Sequence, residues 1–156
     1  MADLSRTPAR RIAAPTSAQA VLTVQTRGQG FTDITRELRA FLREIGAGTG
    51  LAHLFCRHTS ASLTIQENAD PDVRTDLLTA LDSLAPRSGR WVHDVEGPDD
   101  MPAHIRTMLT DTGLAIPVAQ GAPLLGTWQG VYLIEHRDRP HAREVVLSFL
   151  GDCAEA

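Results

Sequence analysis

Lysine is absent from this sequence. All 15 basic residues among the 156 are arginine. The absence of lysine excludes a Schiff-base lysine, a lysine-bound pyridoxal cofactor and the lysine of a nucleotide-binding P-loop. Any recognition of phosphate must therefore come from arginine, backbone N–H groups, hydroxyls, amides, histidine or a metal.

Cysteine, long apolar runs and excess positive charge are also scarce. Cys56 and Cys153 lie far apart and form no Cys-x-x-Cys pair, which is typical of a reducing cytoplasm. No apolar run approaches the roughly 20 residues that a membrane-spanning helix needs. The net charge of −4 gives no support to nucleic-acid binding. We therefore expect a cytoplasmic protein that binds neither membranes nor nucleic acids.

The predicted organisation is one domain behind a short tail. Residues 1–19 carry Arg6, Arg10 and Arg11 among Ala, Ser, Thr and Pro, without an apolar stretch. Such a composition predicts a disordered tail. Residues 20–156 are long enough to bury a core of their own, and we interpret them as a single domain.

Strand and helix signals alternate irregularly along that domain. β-branched alternation predicts a strand at residues 21–26, and apolar segments predict strands at 51–55 and 61–65, either neighbours or one bent strand. Further strands are predicted at 115–118, 124–136 and 144–150. Helical spacing predicts a helix ending at Gly46, a second capped by Asp70 with Pro71 in its first turn, and a third starting near Met101. This third helix has one apolar face, made of Met101, Ile105 and Met108. The order predicts an α+β fold, in which antiparallel β-sheets pack with about two to three helices.

Three segments place polar residues where a core does not need them. In a regular strand His58, Ser60 and Ser62 would share one face, either as an anion or metal pocket or as a solvated edge. Asp100 lies one turn before His104 and either orients that imidazole or only caps the helix.

The third polar segment runs from Gly126 to Arg137; Gly126 and Gly130 bracket its first residues, and His136 lies near its end. His136 is either a buried histidine satisfied by hydrogen bonds or a ligand. Because neutral imidazole is the commonest metal ligand, three histidines from separate elements could converge on one open site. His53, His93 and His141 are the histidines outside these segments.

The sequence motifs in these segments resemble those of the YjbQ family, also called UPF0047 or secondary thiamine-phosphate synthase. The resemblance covers about residues 20 to 152 and rests on three blocks in order. They are HTSASLTI at 58–65 followed by ENADPDV at 67–73, EG at 96–97 with DDMPAHI at 99–105, and LGTWQGVY at 125–132 ending in EHR at 135–137.

The resemblance implies a homotrimer of α+β subunits with a metal or anion site. The implied metal ligands are His58, His104 and His136, and the implied ion is zinc or another transition metal. His104, Asp100 and Glu67 are the candidate catalytic residues. Polar residues expected to line the pocket and bind a phosphorylated substrate are Thr59, Ser60, Ser62, Asn68, Thr127 and Gln129.

The family name implies thiamine-phosphate synthase activity, which joins aminopyrimidine methyl diphosphate to thiazole phosphate. A site of three histidines suits a transition metal better than Mg²⁺, which prefers oxygen ligands. Two alternatives therefore stand beside the synthase: metal-assisted hydrolysis of a small phosphorylated or carbonyl substrate, and a non-catalytic module that binds a metal or small ligand.

Overall fold

The structure is a computed structural model that describes residues 16–154. These residues form eight strands and three helices, which in chain order are β1 (Thr16–Gln25), β2 (Gly30–Asp33), α1 (Thr35–Glu44), β3 (Ala47–Cys56), β4 (Ala61–Glu67), α2 (Pro71–Leu84), α3 (Asp100–Leu109), β5 (Gly113–Ala119), β6 (Ala122–Pro123), β7 (Gln129–Glu135) and β8 (Ala142–Cys153).

The strands form two antiparallel sheets. Sheet A has the order β1-β8-β3-β5-β6, and sheet B has the order β2-β7-β4. One core joins the two sheets and α1, with buried side chains such as Leu42, Leu54, Leu63, Leu133 and Phe149. The predicted α+β fold with antiparallel sheets is confirmed.

The helix signals are confirmed where they depend on local chemistry. Gly46 follows α1 with a φ of 61°, a left-handed conformation that glycine adopts without steric cost and that ends the helix. Asp70 caps α2, because its side chain accepts from the backbone N–H of Asp72 at 2.8 Å. Pro71 occupies the first turn of α2, as predicted.

Three strand predictions need correction. β1 begins at Thr16, so residues 16–19 of the predicted tail belong to a strand, because β8 is long enough to pair Thr16 with Gly151. The rest of the predicted tail, residues 1–15, lies outside the described residues. β3 and β4 are neither paired neighbours nor one bent strand, since β3 joins sheet A and β4 joins sheet B. β7 begins at Gln129, so residues 124–128 of the strand predicted at 124–136 lie in a loop and turn.

The buried face of α3 differs from the predicted one. Its buried residues include Pro102, Ala103 and Arg106, whereas Met108 is 85% exposed. The helix begins at Asp100, one residue earlier than predicted, and Asp100 itself is buried by an ion pair with Arg137. This ion pair turns the Asp100 side of the first turn inward. Within residues 16–154, none of the helices has the length and hydropathy needed to cross a membrane.

Candidate metal centre

One set of ligating side chains comes together at the start of α3. Within residues 16–154, the only group of three or more His, Cys, Asp or Glu side chains with mutually close ligand atoms is His93, Asp100 and His104, all within 4.8 Å. Asp100 and His104 lie one turn apart on the same face of the helix. His93 comes from the irregular segment between α2 and α3.

The distances in this group suit a small cation. Asp100 Oδ2 accepts a hydrogen bond from His93 Nε2 at 2.7 Å and lies 3.6 Å from His104 Nε2. A tetrahedral ion with bonds of about 2.0–2.1 Å sets its ligands about 3.3 Å apart. The Asp100–His104 separation is therefore close to the distance between two ligands of one ion. His93 Nε2 would move roughly half an ångström away from Asp100 Oδ2 as the ion replaces its proton.

A backbone carbonyl fixes the tautomer of His104. The carbonyl oxygen of Thr59 lies 2.9 Å from His104 Nδ1 and can only accept, so Nδ1 carries the proton. In the neutral ring Nε2 then carries the lone pair, and this atom lies 3.6 Å from Asp100 Oδ2. A hydrogen bond from the distal ring nitrogen to a carbonyl is the usual support for a metal-ligating histidine.

The other oxygen of Asp100 is bound to Arg137, which follows β7. The same guanidinium donates to Asp99 Oδ2 at 2.9 Å and to the Glu96 carbonyl at 2.8 Å. Burial alone would raise the pKa of Asp99, but hydrogen bonds from the backbone of Asp138 and from Arg137 hold it below its ordinary value. Asp99 is therefore held as a carboxylate, and the turn before α3 is fixed by its contacts with Arg137.

His58 does not belong to this group. Glu144 donates its backbone N–H to His58 Nε2 at 2.8 Å, which occupies the single lone pair of a neutral imidazole. The remaining nitrogen, Nδ1, faces the Arg143 guanidinium at 3.5 Å. Burial, and after it the charge of Arg143, lowers the pKa of His58. The expected role of His58 as a metal ligand therefore stays a prediction: in this chain its Nε2 is occupied by Glu144, and it lies apart from His93, Asp100 and His104.

His136 is also separate, and it lies in the core. It is fully buried, and its Nε2 lies 2.8 Å from Ser62 Oγ. Burial, with a contribution from Arg106, lowers the pKa of His136 from 6.5 to about 4. His136 is thus a buried histidine that bonds Ser62 through Nε2, but its Nδ1 has no hydrogen-bond partner among residues 16–154, so the ring is only partly satisfied. The three predicted ligands therefore do not converge within one chain.

The predicted polar pocket is divided between two ends of sheet B. At one end Thr59 is exposed, Ser60 accepts from Arg143 at 3.1 Å, and Ser62 is fully buried against His136. His58 and Ser60 lie in the turn before β4, so they do not form a strand face with Ser62.

At the other end of sheet B, the Asn68 amide donates to the carbonyl of Gln129, and the Gln129 side chain accepts from Gly126 at 2.8 Å. The Thr127 carbonyl also faces the Asn68 amide, and the Glu67 carboxylate accepts from the backbone of Asp70. The register pairs Glu67 with Gln129 and Ala61 with Glu135. Six strand residues, about 20 Å, therefore separate this cluster from the metal group.

A cavity of about 350 Å³ opens beside the metal group, lined by Phe55, Cys56, Arg57, His58, Thr59 and Thr112. Thr59 belongs to both, because its carbonyl holds His104 while the residue lines the cavity. Cys56 is buried, which raises the pKa of its thiol and makes it a poor nucleophile.

His93 and Arg137 are the site residues that sequence reasoning missed. His93 lies only seven residues before Asp100, in the polar segment that leads into α3. That short spacing was the available signal, and it was masked by the absence of any regular element around His93.

The comparison with known proteins agrees with this architecture. The profile of the family described as UPF0047 protein YjbQ-like matches residues 20–152. The chain belongs to the UPF0047 family. UPF0047 protein sll1880 of Synechocystis sp. is 50% identical over 135 residues, which are 86% of this chain and 92% of that protein. UPF0047 protein YjbQ of Escherichia coli O157:H7 is 40% identical over 135 residues, 86% of this chain and 98% of that protein.

Solved structures of UPF0047 relatives share the fold. An uncharacterized conserved protein of the yjbq/upf0047 family from Clostridium acetobutylicum is 39% identical, has a TM-score of 0.78, and aligns over 83% of this chain and 98% of its own. A YbjQ-like protein of unknown function from Sulfolobus solfataricus has a TM-score of 0.83 over 89% of this chain and 100% of its own. At 22% identity the latter likeness concerns the fold alone.

Proposed function

We propose that this UPF0047 protein is an enzyme that uses one divalent transition metal, with zinc the best suited, held by His93, Asp100 and His104. The observation that supports this proposal is that His104 Nε2 lies 3.6 Å from Asp100 Oδ2 while His104 Nδ1 is bound to the Thr59 carbonyl. Two imidazole nitrogens and one carboxylate oxygen are a known catalytic zinc donor set that leaves a position open for substrate.

The reaction that we propose is hydrolysis of a small phosphorylated or carbonyl substrate. When bound, a transition metal supplies a Lewis acid that polarises a phosphoryl or carbonyl oxygen. Thr59 and Arg57, which line the adjacent cavity, offer a hydroxyl and a guanidinium to the rest of such a substrate. Arg57 forms an exposed ion pair with Glu144 at 2.9 Å. Because an exposed ion pair contributes little free energy, Arg57 can leave Glu144 and bind the substrate at little cost.

Thiamine-phosphate synthase activity is the second candidate. The observation that favours it is the size of the cavity, about 350 Å³, which is in the range of sites for small organic ligands. Arg57 would then contact a phosphate of the substrate. The nitrogen-rich donor set counts against it, since Mg²⁺, the usual partner of diphosphates, prefers oxygen ligands.

Activity assays on zinc-loaded protein separate these candidates. One arm measures phosphate release from a panel of small phosphate esters, and the other measures thiamine phosphate formed from its two precursors. We expect turnover that is lost with a chelator and in His104→Ala but kept in His53→Ala, because His53 lies on β3 outside the metal group. Equal turnover by wild type and His104→Ala would overturn the enzyme proposal. Zinc binding without turnover in either arm would indicate the non-catalytic module.

We also keep the homotrimer as a proposal. The outer face of sheet A carries Val21, Leu51, Phe55 and Leu150, each between 43% and 54% exposed. Cross-strand pairing places them on one face, because Val21 and Phe55 both pair with Val146 and Leu51 pairs with Leu150. Such an apolar face suits contact with other copies. Light scattering should give three times 16.9 kDa, and a mass of 16.9 kDa would exclude the trimer. The cytoplasmic location remains a prediction.

A further inference from the structure

We infer that Arg137 is a positioning residue for the metal centre, and that it holds Asp100 as a ligand through one oxygen. This inference rests on the proposed function, because it assigns a role within the metal site of His93, Asp100 and His104. Arg137 does not contact the metal position in this role. It acts through the carboxylate that does.

The two carboxylate oxygens of Asp100 have different partners because Arg137 binds only one of them. Arg137 Nη1 donates to Asp100 Oδ1, whereas Oδ2 is the atom that faces both histidines, at 2.7 and 3.6 Å. A carboxylate whose second oxygen is engaged by a guanidinium cannot rotate to offer both oxygens to one ion. Asp100 is therefore set as a monodentate ligand, the mode that keeps a tetrahedral site four-coordinate.

The remaining donors of Arg137 hold the turn that carries Asp100. Nε donates to Asp99 Oδ2 at 2.9 Å, and Nη2 donates to the Glu96 carbonyl at 2.8 Å. The guanidinium thus joins three points of the turn before α3 to the end of β7, with only 13% of the Arg137 side chain exposed. A lysine ammonium keeps the charge but is a point donor that cannot reproduce this planar fork.

The backbone of Arg137 is itself fixed. Its N–H donates to Glu135 Oε1 at 3.0 Å, and Glu135 is buried against Arg143. The orientation of Asp100 is therefore transmitted from the core of sheet B, which explains how a ligand on a helix terminus is held with little freedom. Loss of such a supporting hydrogen bond typically weakens metal binding by about 10–100-fold.

The test compares zinc affinity and the visible spectrum of the cobalt(II)-loaded protein in Arg137→Met, Arg137→Lys and wild type. We expect Zn²⁺ dissociation constants about 10–100-fold higher for both variants, and weaker cobalt(II) absorption as Asp100 becomes free to chelate. Arg87→Met is the matched control, because Arg87 pairs with Asp138 at 2.5 Å and does not touch Asp100. Asp99→Asn is a second control that keeps the Arg137–Asp100 contact in case the Arg137 variants fold poorly. Its zinc dissociation constant should stay within about threefold of wild type, since the asparagine amide oxygen can still accept from Arg137 Nε and the Arg137–Asp100 contact is kept.

The outcomes separate this inference from the proposed function. If wild type binds zinc and Arg137→Met binds it within twofold of wild type, with an unchanged cobalt(II) spectrum, Arg137 has no positioning role and the metal site stands. If Arg137→Met and Asp99→Asn weaken zinc binding equally, the turn as a whole positions the site, and the assignment of this role to the Arg137–Asp100 contact is overturned. If wild type binds neither ion, the metal site is wrong and the inference fails with it.

Discussion

The buried ring of His136 predicts a pH dependence of stability that one substitution should remove. Burial, with Arg106 contributing, lowers its pKa in the folded protein from 6.5 to about 4. In the unfolded chain the ring takes up a proton as the pH falls through 6.5, whereas in the folded chain it stays neutral to about pH 4. The stabilising contribution is therefore complete above pH 6.5 and is lost as the pH falls toward 4.

The size of this effect follows from the same two pKa values. One pKa unit corresponds to about 1.4 kcal/mol, so the fall from 6.5 to about 4 corresponds to about 3 kcal/mol when the transition is complete. Between about pH 7 and about pH 4.5 the free energy of unfolding should drop by about 2 kcal/mol from His136 alone. No correction for solvent screening is needed, because the residue is fully buried.

Urea unfolding at several pH values measures this drop in wild type and in His136→Gln. Glutamine keeps a hydrogen-bonding group near Ser62 but does not titrate, so its stability should fall by about 2 kcal/mol less over that range. His53→Gln, at an exposed position on β3, should show the wild-type pH dependence. His58 acts in the same direction in both proteins, so its contribution cancels in the comparison. Parallel curves for wild type and His136→Gln would refute the reasoning.

Three further substitutions test the packing around the site. Glu135→Gln removes the carboxylate that receives Arg143 at 2.6 and 2.8 Å, leaves a buried guanidinium uncompensated, and should lower the free energy of unfolding by about 3–5 kcal/mol. Asp70→Ala removes the cap of α2 and should cost about 1 kcal/mol, measured as a lower Tm. Gly50→Ala brings a Cβ to 2.4 Å from the Leu150 carbonyl oxygen, so the free energy of unfolding measured with denaturant should fall by about 1–3 kcal/mol. An unchanged free energy of unfolding would show that β3 and β8 are not packed so closely.

Sequence patterns predicted the elements of this fold better than their arrangement. The cap at Asp70 and the glycine at 46 act within one turn of a helix, so their chemistry is visible in a short window. The separation of β3 from β4 into different sheets depends on pairing with β8 and β7, which lie far along the chain. Alternation of apolar residues is the same in either sheet, so it could not distinguish them.

The candidate site was predicted in part for the same reason. Asp100 and His104 share a helix face, and their proximity follows from spacing. His58 Nε2 is occupied by the backbone N–H of Glu144, a contact between residues 86 positions apart. His136 lies apart from the metal group because it is buried against Ser62, a contact that depends on the pairing of β4 with β7 in sheet B. Residue types alone identified imidazoles, but only long-range contacts decide which lone pairs remain free.

Anomalous diffraction at the zinc absorption edge, from crystals grown with zinc, tests the metal centre most directly. We expect one strong peak about 2.0–2.2 Å from His93 Nε2, Asp100 Oδ2 and His104 Nε2, with no peak at His58 or His136. A peak at His58 or His136, or the absence of any peak near α3 at saturating zinc, would contradict the assignment of the metal site.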